Sequence, residues 1–329
     1  MSEANIAVVG CGYWGKNLVR NFASLGALRS VVDCSPLNLK QAKANYPEVN
    51  TFADIKDVIN DPLVKGVVIA TPAVTHFAMA SQVLASGKDV FVEKPLALTV
   101  DEGKQLVELA SAKSAILMVG HLLRYHPAIV KLQELLKTGE LGKLQYIYSN
   151  RLNLGKFRTE ENILWSFAPH DIDVMLSLAG ETPQSVSCHG GNYLNHDIAD
   201  VTVTNLSFPS DIRGHIFVSW LHPYKEQRLV AVGSKGMAVF DDLATDHKLT
   251  IYREHIDWST GIPVPQKNGG QVVEIESIEP LKSECQHFLD CISTRQQPLT
   301  DGHNGLATLK ILAAAQSSLE NEGKIVRFD

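Results

Sequence analysis

The run "IAVVGCGYWGKNLVRNF" constrains the chain more than any other stretch of its 329 residues. Ile6–Val9 is an apolar run of strand type. Trp14, Leu18, Phe22 and Leu25 then recur at helical spacing, and Gly26 is placed to end the helix. Between them Gly10, Gly12 and Gly15 spell G-x-G-x-x-G, with Tyr13 and Trp14 just before the last glycine. The first glycine permits the tight turn and the second lets a pyrophosphate approach the backbone. The third lets helix and strand pack closely. The helix start offers free N–H groups and a positive dipole end to phosphates.

The same alternation continues. "LRSVVD", "GVVIA", "DVFVE" and "AILMVG" read as strands. Helices lie between them, one opened by Ser35-Pro36, one closing at Gly87 and one capped by Thr99 with Glu102. Near-continuous apolar strands alternating with helices predict a doubly wound parallel sheet, an α/β Rossmann domain over residues 1–121. Asp33 ends the second strand, where an acid suits the ribose hydroxyls of NAD and repels the extra phosphate of NADP. The following Cys34, Ser35 and Pro36 include no arginine to receive that phosphate. The expected cofactor is NAD; the plain alternative for Asp33 is a surface residue at a strand end.

Ligands of an open parallel sheet sit beyond the carboxyl ends of its strands. Thr71, Pro72 and His76 follow the fourth strand, and Glu93, Lys94 and Pro95 the fifth. His121, Arg124, Tyr125 and His126 follow the sixth. Lys94, held extended by Pro95, is expected to reach the meeting place of nicotinamide and substrate. Desolvation and a cationic ring would lower its pKa, so that it could hold or remove a hydroxyl proton. The alternative is a solvated strand-end lysine. His76 falls in the first turn of its helix, facing either the cofactor or solvent.

After residue 121 the pattern changes. Residues 122–329 read as an α+β domain for substrate binding and oligomerisation, with a large, mostly antiparallel open sheet and two closing helices. "HIFVSWL" has apolar residues on both faces, which points to burial on both. In "LWSFAPHDIDVMLSLAG", Pro169 is expected to begin a helix. Ile172, Met175, Leu176 and Ala179 form an apolar stripe opposite His170, Asp173 and Ser177. A first-turn His170 would be kept neutral by the helix dipole, as a general base must be; otherwise this is an ordinary exposed helix start. Arg151, Lys156 and Arg158 form a basic cluster ahead of it, suited to a diphosphate or simply solvated.

Composition narrows the classes. The formal net charge is −6, and no basic stripe points to nucleic acid. The apolar runs are too short to span a bilayer, and the N-terminus does not read as a signal peptide. Cys11, Cys34, Cys188, Cys285 and Cys291 are odd in number without a C-x-x-C pair. That argues against a disulfide framework and against a metal site, and for a cytoplasmic protein.

"GCGYWG", "TPAVTH", "VEKPL" and "HDID", in this order over essentially the whole chain, resemble the glucose–fructose oxidoreductase / inositol dehydrogenase (Gfo/Idh/MocA) family. The resemblance implies that Lys94 and His170 are catalytic, that Pro95 follows through a cis bond, and that Asp173 lies near a sugar. It also implies a homo-oligomer, a dimer or tetramer. Many members carry an aspartate four residues before the histidine. Ser166 stands there in this chain, so the catalytic expectation rests on Lys94 and His170. "GHLLRYHPAI", which holds Arg124 and Tyr125, and "SNRLNLGKFRTEENILWSFAPHDI" are similar to nucleotide-sugar 3-dehydrogenases of surface-polysaccharide and lipid A pathways. The implied reaction is hydride transfer from C3 of a UDP-N-acetylhexosamine to NAD. His170 takes the hydroxyl proton and Lys94 bonds the same oxygen, or the two exchange roles. Dehydrogenation of a free polyol or inositol, and NAD binding by a regulatory protein without net chemistry, are the alternatives.

Overall fold

The computed structural model describes residues 5–155, 157–253, 255–257, 259–266 and 269–328. The first strands and helices alternate as β1 (Ile6–Val9), α1 (Gly15–Ser24), β2 (Leu28–Val32), α2 (Pro36–Asn45), β3 (Asn50–Phe52) and α3 (Ile55–Ile59). β4 (Gly66–Ile69), α4 (His76–Ala85), β5 (Asp89–Glu93), α5 (Val100–Ala112) and β6 (Leu117–Gly120) complete the pattern. The strands form one parallel sheet in the order β3-β2-β1-β4-β5-β6. β1, β4 and β5 are buried at every residue, as strands covered on both faces must be. The strand order reverses at β1, which places the topological switch at the glycine turn. The expected caps form: Ser35 accepts from the Asn38 N–H, and Thr99 and Glu102 make a reciprocal capping box.

The chain continues with α6 (Pro127–Lys137), β7 (Leu144–Leu154), α7 (Ile163–Ala179), β8 (Ser185–Gly191), β9 (Val201–Ser207), β10 (Arg213–Ser219) and β11 (Leu221–Gly233). Next come β12 (Gly236–Asp241), β13 (Leu249–Tyr252), β14 (His255–Asp257), β15 (Val264–Gln266) and β16 (Gly270–Val272). α8 (Pro280–Thr294), α9 (Gly302–Glu320) and β17 (Val326–Arg327) close it. Nine strands form a sheet in the order β16-β13-β12-β11-β7-β10-β9-β8-β17. Only the β7–β10 pair in it is parallel. α7 packs on β7, β9 and β10. The expectation of burial on both faces of "HIFVSWL" is not met within one chain: Ile216 and Val218 are buried, while His215 is exposed and Phe217 half-buried.

Two compact units result, one of Met1–Tyr125 with Ile278–Leu309 and one of His126–Ser277 with Lys310–Asp329. On the sequence pattern every residue after 121 belongs to one domain; α8 instead belongs to the parallel-sheet unit. Its Phe288 ring meets Phe22 and Phe91 edge-on at centroid distances of 6.5 and 5.6 Å. Arg295, just past α8, donates to both carboxylate oxygens of Asp89 at 2.6 and 3.0 Å. Glu279, just before it, accepts from Arg20 and Asn21 of α1. An apolar face and two charged ends hold the helix there.

Candidate functional site

In the first unit, the glycines of the β1–α1 turn have three distinct surroundings. Gly10 has φ +87°, and a Cβ on it would lie 2.8 Å from the Ala70 carbonyl oxygen at the end of β4. Gly15 is tighter: its Cβ would fall 1.8 Å from the Gly10 carbonyl oxygen, so only glycine closes the turn. A Cβ on Gly12 would meet nothing within 4 Å. Gly12 therefore leaves open the space a pyrophosphate needs, and α1 starts at Trp14 without a side-chain cap. Tyr13 beside it is 83% exposed.

Asp33 binds this turn as well as ending β2. One carboxylate oxygen accepts from the Cys11 N–H and the other from the Ser35 N–H, both at 2.8 Å. Burial works to raise its pKa, but these N–H donors and the Asn38 side chain outweigh it and hold the carboxyl below its ordinary value. Burial, then the Asp33 charge, pushes the Cys11 thiol up to about 12, so it is no nucleophile at neutral pH.

At the ends of β4 and β5, Thr71 is half-buried, Pro72 exposed and Lys94 half-buried. The Lys94–Pro95 peptide is cis. Thr75 donates to the Pro72 carbonyl at 2.8 Å, and its hydroxyl lies 2.6 Å from that of Thr71. His76 is buried, with both ring nitrogens beside backbone carbonyls of its own unit. Glu93 is buried, and its Oε1 accepts from the Trp14 indole at 2.5 Å. Burial pushes its carboxyl up to about 7, against the opposing effects of Trp14 and Lys94. Arg124 and Tyr125 are also buried within this unit. The Tyr125 hydroxyl lies 3.2 Å from that of Thr300.

In the second unit, α7 begins earlier than expected. Its first residue is Ile163, not Pro169, and Asn162 caps it, accepting from the Trp165 N–H at 3.2 Å. Pro169 lies inside the helix, so His170 stands about two turns from its start. A helix dipole acts within the first turn, so the expected influence of the α7 start on His170 is absent. Asp173, expected to face outward or into a cleft, is 1% exposed. Of the basic cluster, Arg151 makes a two-pronged bond to buried Asp171 at 2.8 and 3.2 Å. Arg158 pairs with Glu161 at 3.0 Å, and Lys156 lies outside the described residues. Ser166 is buried in the same helix.

The open space at Gly12, the uncapped start of α1 and the carboxylate at the end of β2 are together what a dinucleotide requires. Residues 4–121 match the family model described as "Oxidoreductase family, NAD-binding Rossmann fold", and residues 129–239 match the "GFO/IDH/MocA C-terminal domain". The chain belongs to the Gfo/Idh/MocA oxidoreductase family. Its cofactor is NAD. This Gfo/Idh/MocA member is 26% identical to scyllo-inositol 2-dehydrogenase (NAD(+)) of Bacillus subtilis (strain 168), across 99% of this chain and 97% of that one. It is 25% identical to UDP-N-acetylglucosamine 3-dehydrogenase of Acidithiobacillus ferrooxidans, across 96% of each. A solved structure of the latter protein has a TM-score of 0.86 at 24% identity, covering 98% of this chain and 99% of that one.

Among the described residues of this oxidoreductase no helix is long and apolar enough to cross a membrane. The sequence does not announce the pairing of Trp14 with Glu93, which stand 79 positions apart. The one local signal for the partner of Arg151 is Asp171 itself, a carboxylate beside His170 with Asp173 two residues on.

Proposed function

We propose that this protein oxidises a secondary hydroxyl of a nucleotide sugar, at C3 of a UDP-N-acetylhexosamine, in the direction that reduces NAD. The observation that carries the dehydrogenase reading is Lys94, half-buried at the carboxyl end of β5 in the unit that holds the NAD turn. NAD supplies the two-electron acceptor when bound. Asp33 fixes the turn and offers its remaining lone pairs to ribose hydroxyls. Lys94 is the group assigned to hold the substrate hydroxyl by a hydrogen bond and steady the developing alkoxide. His170 is the group assigned to take the proton. The end-to-end likeness to the Acidithiobacillus ferrooxidans 3-dehydrogenase supports the nucleotide sugar.

A second reading, a free inositol, has its own support. The Bacillus subtilis inositol dehydrogenase matches as fully. The Arg151–Asp171 pair also removes one cation from those a diphosphate could use. The deciding experiment incubates the protein with NAD and UDP-N-acetylglucosamine, traps the ketone and weighs the product. A product lighter by two hydrogens, with NADH formed, is expected. No change with this sugar, but NADH formation with scyllo-inositol, overturns the nucleotide-sugar reading in favour of the second.

A further inference from the structure

His76 opens α4 and is 1% exposed. Its Nδ1 lies 2.7 Å from the carbonyl oxygen of Pro95, and its Nε2 lies 2.9 Å from that of Thr71. A carbonyl oxygen only accepts, and a neutral imidazole carries one N–H and one lone pair. A neutral ring would satisfy one carbonyl and turn its lone pair on the other at less than 3 Å. An imidazolium satisfies both. We propose that His76 is held as an imidazolium that bridges the turn after β4 to the turn after β5 and, through Pro95, positions Lys94.

Burial and the start of α4 oppose a cation at this place. Two charge-assisted hydrogen bonds, each roughly twice as strong as a neutral one, favour it. Thr71 to Thr75 include no ionisable side chain, and the turn ending in Pro95 carries Glu93 and Lys94. Both ring nitrogens are used inside the unit, so His76 acts by holding backbone and not by touching the cofactor. Thr71 and Pro95 follow adjacent parallel strands, β4 and β5. The bridge thus ties together two turns that a Rossmann sheet turns toward its ligand.

The charge state is independent of the proposed substrate; only the use made of Lys94 rests on that reading. The protein is labelled with 15N-histidine, and ring nitrogens are observed by long-range proton–nitrogen correlation. The His76 signals are identified by their loss in His76→Asn. Both nitrogens protonated at pH 7 is the expected result. One unprotonated nitrogen at that pH overturns the imidazolium.

Two substitutions test the positioning. The amide nitrogen of His76→Asn takes the place of Nδ1 and keeps a donor for Pro95; that of His76→Gln takes the place of Nε2 and serves Thr71 alone. kcat is expected to fall about tenfold or more in His76→Gln and little in His76→Asn, with KM for NAD unchanged in both. Where no tested sugar turns over, the proposed function fails and this inference stands or falls separately. The rate at which acetic anhydride labels Lys94, read by mass spectrometry, then makes the same comparison, with a changed rate in His76→Gln alone expected. Equal behaviour of the two variants overturns the positioning role.

Discussion

The indole N–H of Trp14 donates to the buried carboxyl of Glu93 at 2.5 Å, joining the glycine turn after β1 to the end of β5. Gly120 of β6 makes room for that carboxyl: a Cβ there would lie 2.9 Å from its Oε2. Glu93 is the residue before Lys94, so the bond ties the phosphate-binding turn to the strand that carries the amine assigned to the substrate hydroxyl.

This pair makes stability depend on pH. Burial raises the Glu93 pKa from 4.5 to about 7 in the folded protein. The folded state therefore holds the proton more tightly than the unfolded chain. The resulting stabilisation is full below the unfolded pKa and is lost as pH rises through about 7. Glu93→Gln is neutral at every pH and keeps an acceptor for Trp14. It should match the wild type near pH 4.5 and exceed it by up to about 3 kcal/mol at pH 8. Urea denaturation of both proteins across this range measures the difference.

Gly12 and Gly15 separate binding from folding. Alanine at Gly12 enters open space, so the thermal midpoint should stay close to that of the wild type. NADH affinity should fall about tenfold or more, because the methyl occupies the approach of the pyrophosphate. Alanine at Gly15 would overlap the Gly10 carbonyl and should cost about 1–3 kcal/mol of stability or more. Calorimetry and NADH fluorescence titration of the two variants should give opposite orderings.

Asp33→Asn loses charge and one acceptor together. An amide oxygen can serve the N–H of Cys11 or of Ser35, but its NH2 group cannot serve the other. The orphaned donor should cost about 1–3 kcal/mol. Repulsion of a 2′-phosphate also disappears, so the affinity ratio of NADPH to NADH should rise. Parallel fluorescence titrations with the two cofactors check this; an unchanged ratio would remove Asp33 from cofactor choice.

The parallel-sheet unit was legible because its signals are local. Fully apolar strands, a glycine turn and the caps at Ser35 and Thr99 each lie within a few residues of what they determine. The start of α7 was misplaced because Pro169 is a strong helix-start signal, whereas Asn162 is an equally good cap seven positions earlier. α8 was assigned to the wrong body because its partners are Phe22, Phe91 and Asp89, about 200 or more residues away in the chain. Arg151 read as a free cation since its partner lies on another element, 20 residues on.

Arg151 and Arg158 should respond differently to substitution. Arg151→Met leaves Asp171, 2% exposed, charged and without its partner, a change that typically costs about 3–5 kcal/mol. The Arg158–Glu161 pair is part-exposed, and Arg158→Ala should change stability by no more than about 0.5 kcal/mol. If a diphosphate is bound in part by Arg158, charge reversal there raises KM for UDP-N-acetylglucosamine and leaves that for an inositol unchanged. Denaturation and steady-state kinetics on the same preparations separate a structural arginine from a binding one.

His126 provides a second pH dependence of opposite sign. It caps α6 with its ring: Nδ1 accepts from the Ala128 N–H at 3.1 Å and so must be unprotonated there. Nε2 then carries the proton, facing Asp242 at 3.8 Å. Burial first lowers the His126 pKa; Asp242 acts to raise it and Lys248 to lower it. The folded state therefore binds this proton less tightly than the unfolded chain. The contribution is present above the unfolded pKa of 6.5 and is lost as pH falls through the lower folded value. Asparagine is among the best N-caps and does not titrate. His126→Asn should therefore lose less stability than the wild type between pH 7 and pH 5, a comparison in which the other histidines cancel. An identical loss in both proteins would show that the α6 cap does not depend on the neutral ring.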